Sequence, residues 1–133
     1  MKLRNRFWMV HFSFIRGSDW DCSSRCMKVV LAHELRKKGL IVERQKPMPI
    51  VYDGVRFNEA FRSDLVVNAK VIAELKSVET TSALYAKQLL TQLRLSGLKL
   101  GLLINFGEAH LKNGIKRIIN GKLDDESASE VSL

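Results

Sequence analysis

Asp64-Leu65-Val66-Val67-Asn68-Ala69-Lys70-Val71-Ile72-Ala73-Glu74-Leu75-Lys76 reads as two short apolar strands joined by the polar turn Asn68-Ala69-Lys70. If Val67 pairs with Val71, pairing runs outward as Val66 with Ile72, Leu65 with Ala73 and Asp64 with Glu74. Two carboxylates then stand opposite each other on one face of an antiparallel pair, which is destabilising when nothing lies between them. Lys76 follows Glu74 by two residues and projects from the same face. A divalent cation between the acids, with the lysine turned to an anionic substrate, gives this cluster a purpose. The bland alternative is a charged hairpin end with a surface ion pair worth ~0–1 kcal/mol.

Outward from the hairpin, Met27, Val30, Leu31, Glu34, Leu35 and Lys38 follow helical spacing from Ser23 or Ser24 to Lys38, and Gly39 suits the C-terminal stop. Leu40-Ile41-Val42 opens an extended run to Val51-Tyr52. Pro47 and Pro49 within it cannot donate to a ladder, so an edge strand is expected. Asp53-Gly54 signals a hairpin turn, with strands near 56–67 and 71–78 following. Thr80-Thr81-Ser82 caps a helix from about Ser82 to Leu95, ended by Gly97. Leu98 to Phe106 is nearly all apolar and reads as a central strand buried on both faces. Ile115–Ile119 fits a strand or a helix equally well. The fold class expected is α/β: a mixed central sheet flanked by helices, in one domain over residues 23–122. Residues 1–22 form a separate basic arm, and 123–133 an acidic, serine-rich tail expected to be disordered.

The 133 residues carry a net charge of +8. Residues 1–47 hold eleven Lys/Arg against four Asp/Glu, while 48–97 hold six against five and 98–133 five against five. The surplus suits counterion release on nucleic acid, or a solvated, solubilising face. No apolar run approaches the ~20 residues of a membrane span. The basic-then-apolar opening is broken by His11, Arg16 and Asp19, against a signal peptide. Cys22 and Cys26 are too few for a disulfide framework and suit a reducing cytoplasm, the expected location. With His33 they could share a helix face, but zinc needs three or four such ligands, and His11 and His110 lie in unrelated segments. Trp8, Phe12 and Phe14 could stack bases among Arg4, Arg6 and Arg16; burial or self-association, including a homodimer, suits them better.

Asp64 followed by Glu74-Leu75-Lys76 matches the PD-(D/E)XK pattern of restriction-endonuclease-like nucleases. Alone this is a short pattern. Its surroundings, Phe61-Arg-Ser-Asp-Leu-Val-Val, Val71-Ile-Ala-Glu-Leu-Lys-Ser-Val, Gln88-Leu-Leu-Thr-Gln-Leu-Arg-Leu, Gly101-Leu-Leu-Ile-Asn-Phe-Gly and Gly114-Ile-Lys-Arg-Ile-Ile-Asn, resemble the small bacterial GxxExxY family of that superfamily, from about Val29 to Asn120. The resemblance implies an αβββαβ core. It makes Asp64 and Glu74 ligands of Mg²⁺ or Mn²⁺, with the Leu75 carbonyl beside them. Lys76 becomes the catalytic base or electrostatic stabiliser, and Gln88, expected to be buried on its helix, a supporting polar group. Arg62, with Arg4, Arg6 and Arg16, is the expected nucleic-acid contact. Counted back from Leu31-Ala-His-Glu-Leu, the family's Gly, Glu and Tyr fall on Asp21, Ser24 and Met27, so the naming motif and its helix carboxylate are missing. Gln92 stands where a tyrosine is expected. The function implied is a metal-dependent nuclease of very low activity, on DNA before RNA. The alternative is a catalytically degenerate module that binds nucleic acid or a protein partner.

Overall fold

The structure, a computed structural model, describes residues 24–79, 81–107 and 114–121, with Ser24 described by its backbone alone. The elements are α1 (Ser24–Lys37), β1 (Val42–Tyr52), β2 (Val55–Val67), β3 (Val71–Lys76), α2 (Ala83–Ser96), β4 (Leu100–Asn105) and β5 (Ile115–Ile119). The strands build one sheet in the order β1-β2-β3-β4-β5. All neighbours are antiparallel except β3 and β4. A parallel pair needs a crossover, and α2 supplies it. This is the expected mixed α/β sheet with flanking helices, consistent with a restriction-endonuclease-like fold. The expected arm (1–22) and tail (123–133), with Arg4, Arg6, Arg16, Trp8, Phe12 and Phe14, lie outside the described residues. No described helix is long and apolar enough to cross a membrane.

The hairpin pairs in the expected register, Leu65 with Ala73, Val66 with Ile72 and Val67 with Val71. Its turn places Asn68 at φ 52° and Ala69 at φ 54°, and Lys70 N–H donates to the Val67 carbonyl at 3.0 Å. Two successive positive φ values are what a type I′ turn requires. Asn68 tolerates this conformation and also anchors the start of β1. Its N–H donates to the Ile41 carbonyl at 2.8 Å, and its Oδ1 accepts the Ile41 N–H at 2.9 Å. Asp53 and Gly54 form the other predicted turn at φ 53° and 70°, with Tyr52 facing Val55.

The β1 strand lies at an edge of the described sheet, as its prolines demand, and its register shifts between Met48 and Ile50, around Pro49. Gln45, at φ 49°, falls between the Arg44–Leu65 and Lys46–Ser63 pairs, level with Asp64. Only the last three residues of β2 pair with β3, so the far half of the β1–β2 hairpin is a two-stranded arm. Val51, Tyr52, Val55 and Phe57 are exposed on it.

One face of the sheet packs Leu65, Val67, Val71, Ala73, Leu75, Leu102 and Ile104 against Met27, Leu31 and Leu35 of α1. The other packs Ile72 and Leu103 against Leu89 and Leu93 of α2. Burying each such leucine contributes about 2 kcal/mol. Every residue of β4 is buried, as expected of a strand covered on both faces, although β3 is the middle strand of the five. Helix α2 lies so close to β4 that a Cβ on Gly101 would sit 2.9 Å from Leu89 Cδ2. The undecided segment Ile115–Ile119 is a strand, because its backbone pairs with β4 from Leu100–Ile119 to Ile104–Ile115.

Candidate active site

Asp64 sits where β2 and β3 part, just beyond the last paired residues Leu65 and Ala73. Its carboxylate fills the gap: Oδ2 accepts the Leu75 N–H at 2.9 Å, in place of a ladder carbonyl. The Asp64 N–H donates in return to Glu74 Oε1 at 3.3 Å. Leu75 N–H and C=O point to the same side of an extended strand, so the Leu75 carbonyl also faces β2. Asp64 and Glu74 are each only 9% exposed. Burial, then the Asp64 charge and a side-chain hydrogen bond with Asp64, push the Glu74 carboxyl from its ordinary 4.5 up to about 8, with the Asp64 N–H bond and then Lys76 pulling the other way. A buried pair of acids cannot ionise together without a compensating cation.

The Lys76 Nζ stands 4.8 Å from the centroid of the Tyr85 ring on α2, within cation–π range. The strand segment behind it is fixed by Asn105, which is fully buried at the end of β4. Asn105 Oδ1 accepts the N–H groups of Val78 and Gly107, each at 3.0 Å, and its Nδ2 donates to the Val78 carbonyl at 2.9 Å. Phe106 N–H also donates to the Lys76 carbonyl at 2.8 Å. The end of β3 is thereby tied to the end of β4 on the side where Lys76 leaves the sheet.

Gln88 departs from expectation. It is exposed, because the buried stripe of α2 is narrow and runs through Leu89 and Leu93. One turn on, the Gln92 Oε1 is buried and has no hydrogen-bond partner. Arg62, two residues before Asp64 on β2, is exposed. It donates to the Gln45 carbonyl at 3.3 Å and lies 3.8 Å from Glu59. Glu34 pairs with Lys37 at 3.5 Å. The side chain of Ser24 and all of Asp21 fall outside the described residues.

Sequence reasoning missed Lys28. Its Nζ lies 2.9 Å from Asp64 Oδ1, with only 19% of the lysine side chain exposed. A signal was available: Lys28 follows Ser24 by one helical turn and shares its face. The expectation of reduced cysteines does not hold at Cys26, which is disulfide-bonded and offers no thiolate to zinc. Among the described residues, no third His, Cys, Asp or Glu joins Asp64 and Glu74 in a metal-binding group.

A family model described as the PD-(D/E)XK nuclease superfamily matches residues 22–118, well over half of the chain. The chain belongs to that superfamily. No curated protein and no solved structure matches it significantly.

Proposed function

We propose that the chain hydrolyses phosphodiester bonds, in DNA before RNA, at a centre built on Asp64, Glu74 and Lys76, with slow turnover. The observation that carries this reading is the buried pair Asp64–Glu74, joined by the Asp64 N–H donating to Glu74 Oε1, with Lys76 two residues on, inside a nuclease-superfamily domain. The donor set suits Mg²⁺ or Mn²⁺: two carboxylates and the Leu75 carbonyl are hard oxygen ligands, and a cation between the acids would offset the burial and the Asp64 repulsion that keep Glu74 protonated. Bound there, such an ion would stabilise charge on the phosphate oxygens and acidify a water.

The chain's own residues do the rest. The Lys76 ammonium faces the phosphate and orients or activates the attacking water. Gln88, exposed on α2, is available to hydrogen-bond a bound strand, and Arg62 to contact its backbone. The missing helix carboxylate at Ser24 leaves the ion one ligand short, and misplacing the water by ~1 Å costs ~10²-fold in rate.

A second reading, a degenerate module that binds nucleic acid without cutting it, is favoured by one observation: Lys28 already neutralises Asp64. Plasmid nicking with Mn²⁺ separates the two. Slow nicking that falls at least about tenfold in both Asp64→Asn and Lys76→Ala supports the nuclease. Nicking untouched by either substitution overturns this centre, and DNA binding with no nicking selects the second reading.

A further inference from the structure

Each oxygen of Asp64 already has a partner. Oδ2 holds the Leu75 N–H at 2.9 Å, a bond that belongs to the sheet itself. Oδ1 holds the Lys28 ammonium at 2.9 Å, and the pair is largely enclosed, with side-chain exposures of 19% and 12%. Glu74 offers the neighbouring carboxyl, and no third acid among the described residues joins them. Each oxygen keeps a second lone pair, so the contest is one of charge: a cation shared by Asp64 and Glu74 would meet the Lys28 ammonium already held against Oδ1. Lysine suits such a contest: its charge sits at the end of a flexible four-carbon stem, so it can leave without moving α1.

We propose that Lys28 is a built-in counter-cation that competes with the divalent metal for Asp64, so the centre takes up metal only as the Lys28 ammonium swings aside. The inference rests on the metal-site reading above and deepens it. It assigns the weak metal affinity to a residue of α1, as well as to the absent carboxylate. A divalent ion must displace a charge already paired at close range.

The test measures metal binding, not activity. Lys28→Met keeps most of the apolar stem and removes the charge; Lys28→Arg keeps the charge. Calorimetric titration with Mn²⁺ should give about tenfold tighter binding for Lys28→Met than for the unmodified chain. Lys28→Arg should gain nothing, and Lys28→Met combined with Asp64→Asn should lose the gain. Equal or weaker binding by Lys28→Met overturns the proposal. In metal-free buffer, urea unfolding of Lys28→Met, Asp64→Asn and the double variant reads the ion pair by itself. Additive effects in that cycle overturn the pairing, whatever the metal does. Clear coupling without Mn²⁺ binding by any variant overturns the metal-site reading and the competition with it, leaving only a structural ion pair.

Discussion

Glu74 is a carboxyl kept neutral by its own neighbourhood. Its folded-state value of about 8 lies above its ordinary 4.5, so between these limits the folded chain keeps a proton that the unfolded chain gives up. Stability from this group is complete below about pH 4.5 and is lost as pH rises through about 8, by an amount on the order of a few kcal/mol. Glu74→Gln removes the titration while keeping the shape. In metal-free buffer the unmodified chain should lose urea resistance between about pH 5 and pH 8, and Glu74→Gln should flatten that loss. Equal slopes in both proteins would refute the assignment. The closeness of Asp64 and Glu74 was legible in the sequence because a hairpin of fixed register dictates which side chains share a face. Lys28 was not, because its reach to Asp64 depends on how α1 packs across the sheet. Gln88 is exposed against expectation because the helical period allows a wider stripe than Leu89 and Leu93 fill.

At the scale of the element, the β2–β3 turn carries a local cost. Asn68 offsets its left-handed conformation with two bonds to Ile41, whereas Ala69 at φ 54° has a Cβ and no such compensation. Ala69→Gly should therefore stabilise the chain by about 0.5–1 kcal/mol, the steric relief exceeding the extra freedom glycine gives the unfolded chain. Urea unfolding checks this, and a destabilised variant would mean that the turn is not left-handed at that residue. The hairpins were readable because turn chemistry and two-residue alternation are local. The state of β5 was not: five residues, Ile115 to Ile119, satisfy either period, and only the hydrogen-bonding edge of β4 decides.

For the whole molecule, the charge asymmetry leads to a measurement of its own. If the basic surplus of residues 1–47 holds nucleic acid, DNA affinity should fall steeply with salt. Removing residues 1–20, which takes away Lys2, Arg4, Arg6 and Arg16, should flatten the slope of log affinity against log salt by ~0.9 for each phosphate that is no longer neutralised. An unchanged slope would mean that the arm touches no phosphate. The two borders of the described sheet lead elsewhere. A strand with one unpaired side invites another copy to add its own strand, and repetition of that step is how fibrils grow. On β1, Pro47 and Pro49 lack the amide hydrogens that such docking uses, and the register shift around Pro49 bends the strand out of line. On β5, Lys116 and Arg117 are exposed and would meet their own like charges in a second copy. Beyond the prolines, Val51 and Tyr52 at the tip of the arm are exposed and have no such protection among the described residues. Aggregation of this protein, where it occurs, should begin at that tip and leave the strand borders near the paired acids untouched.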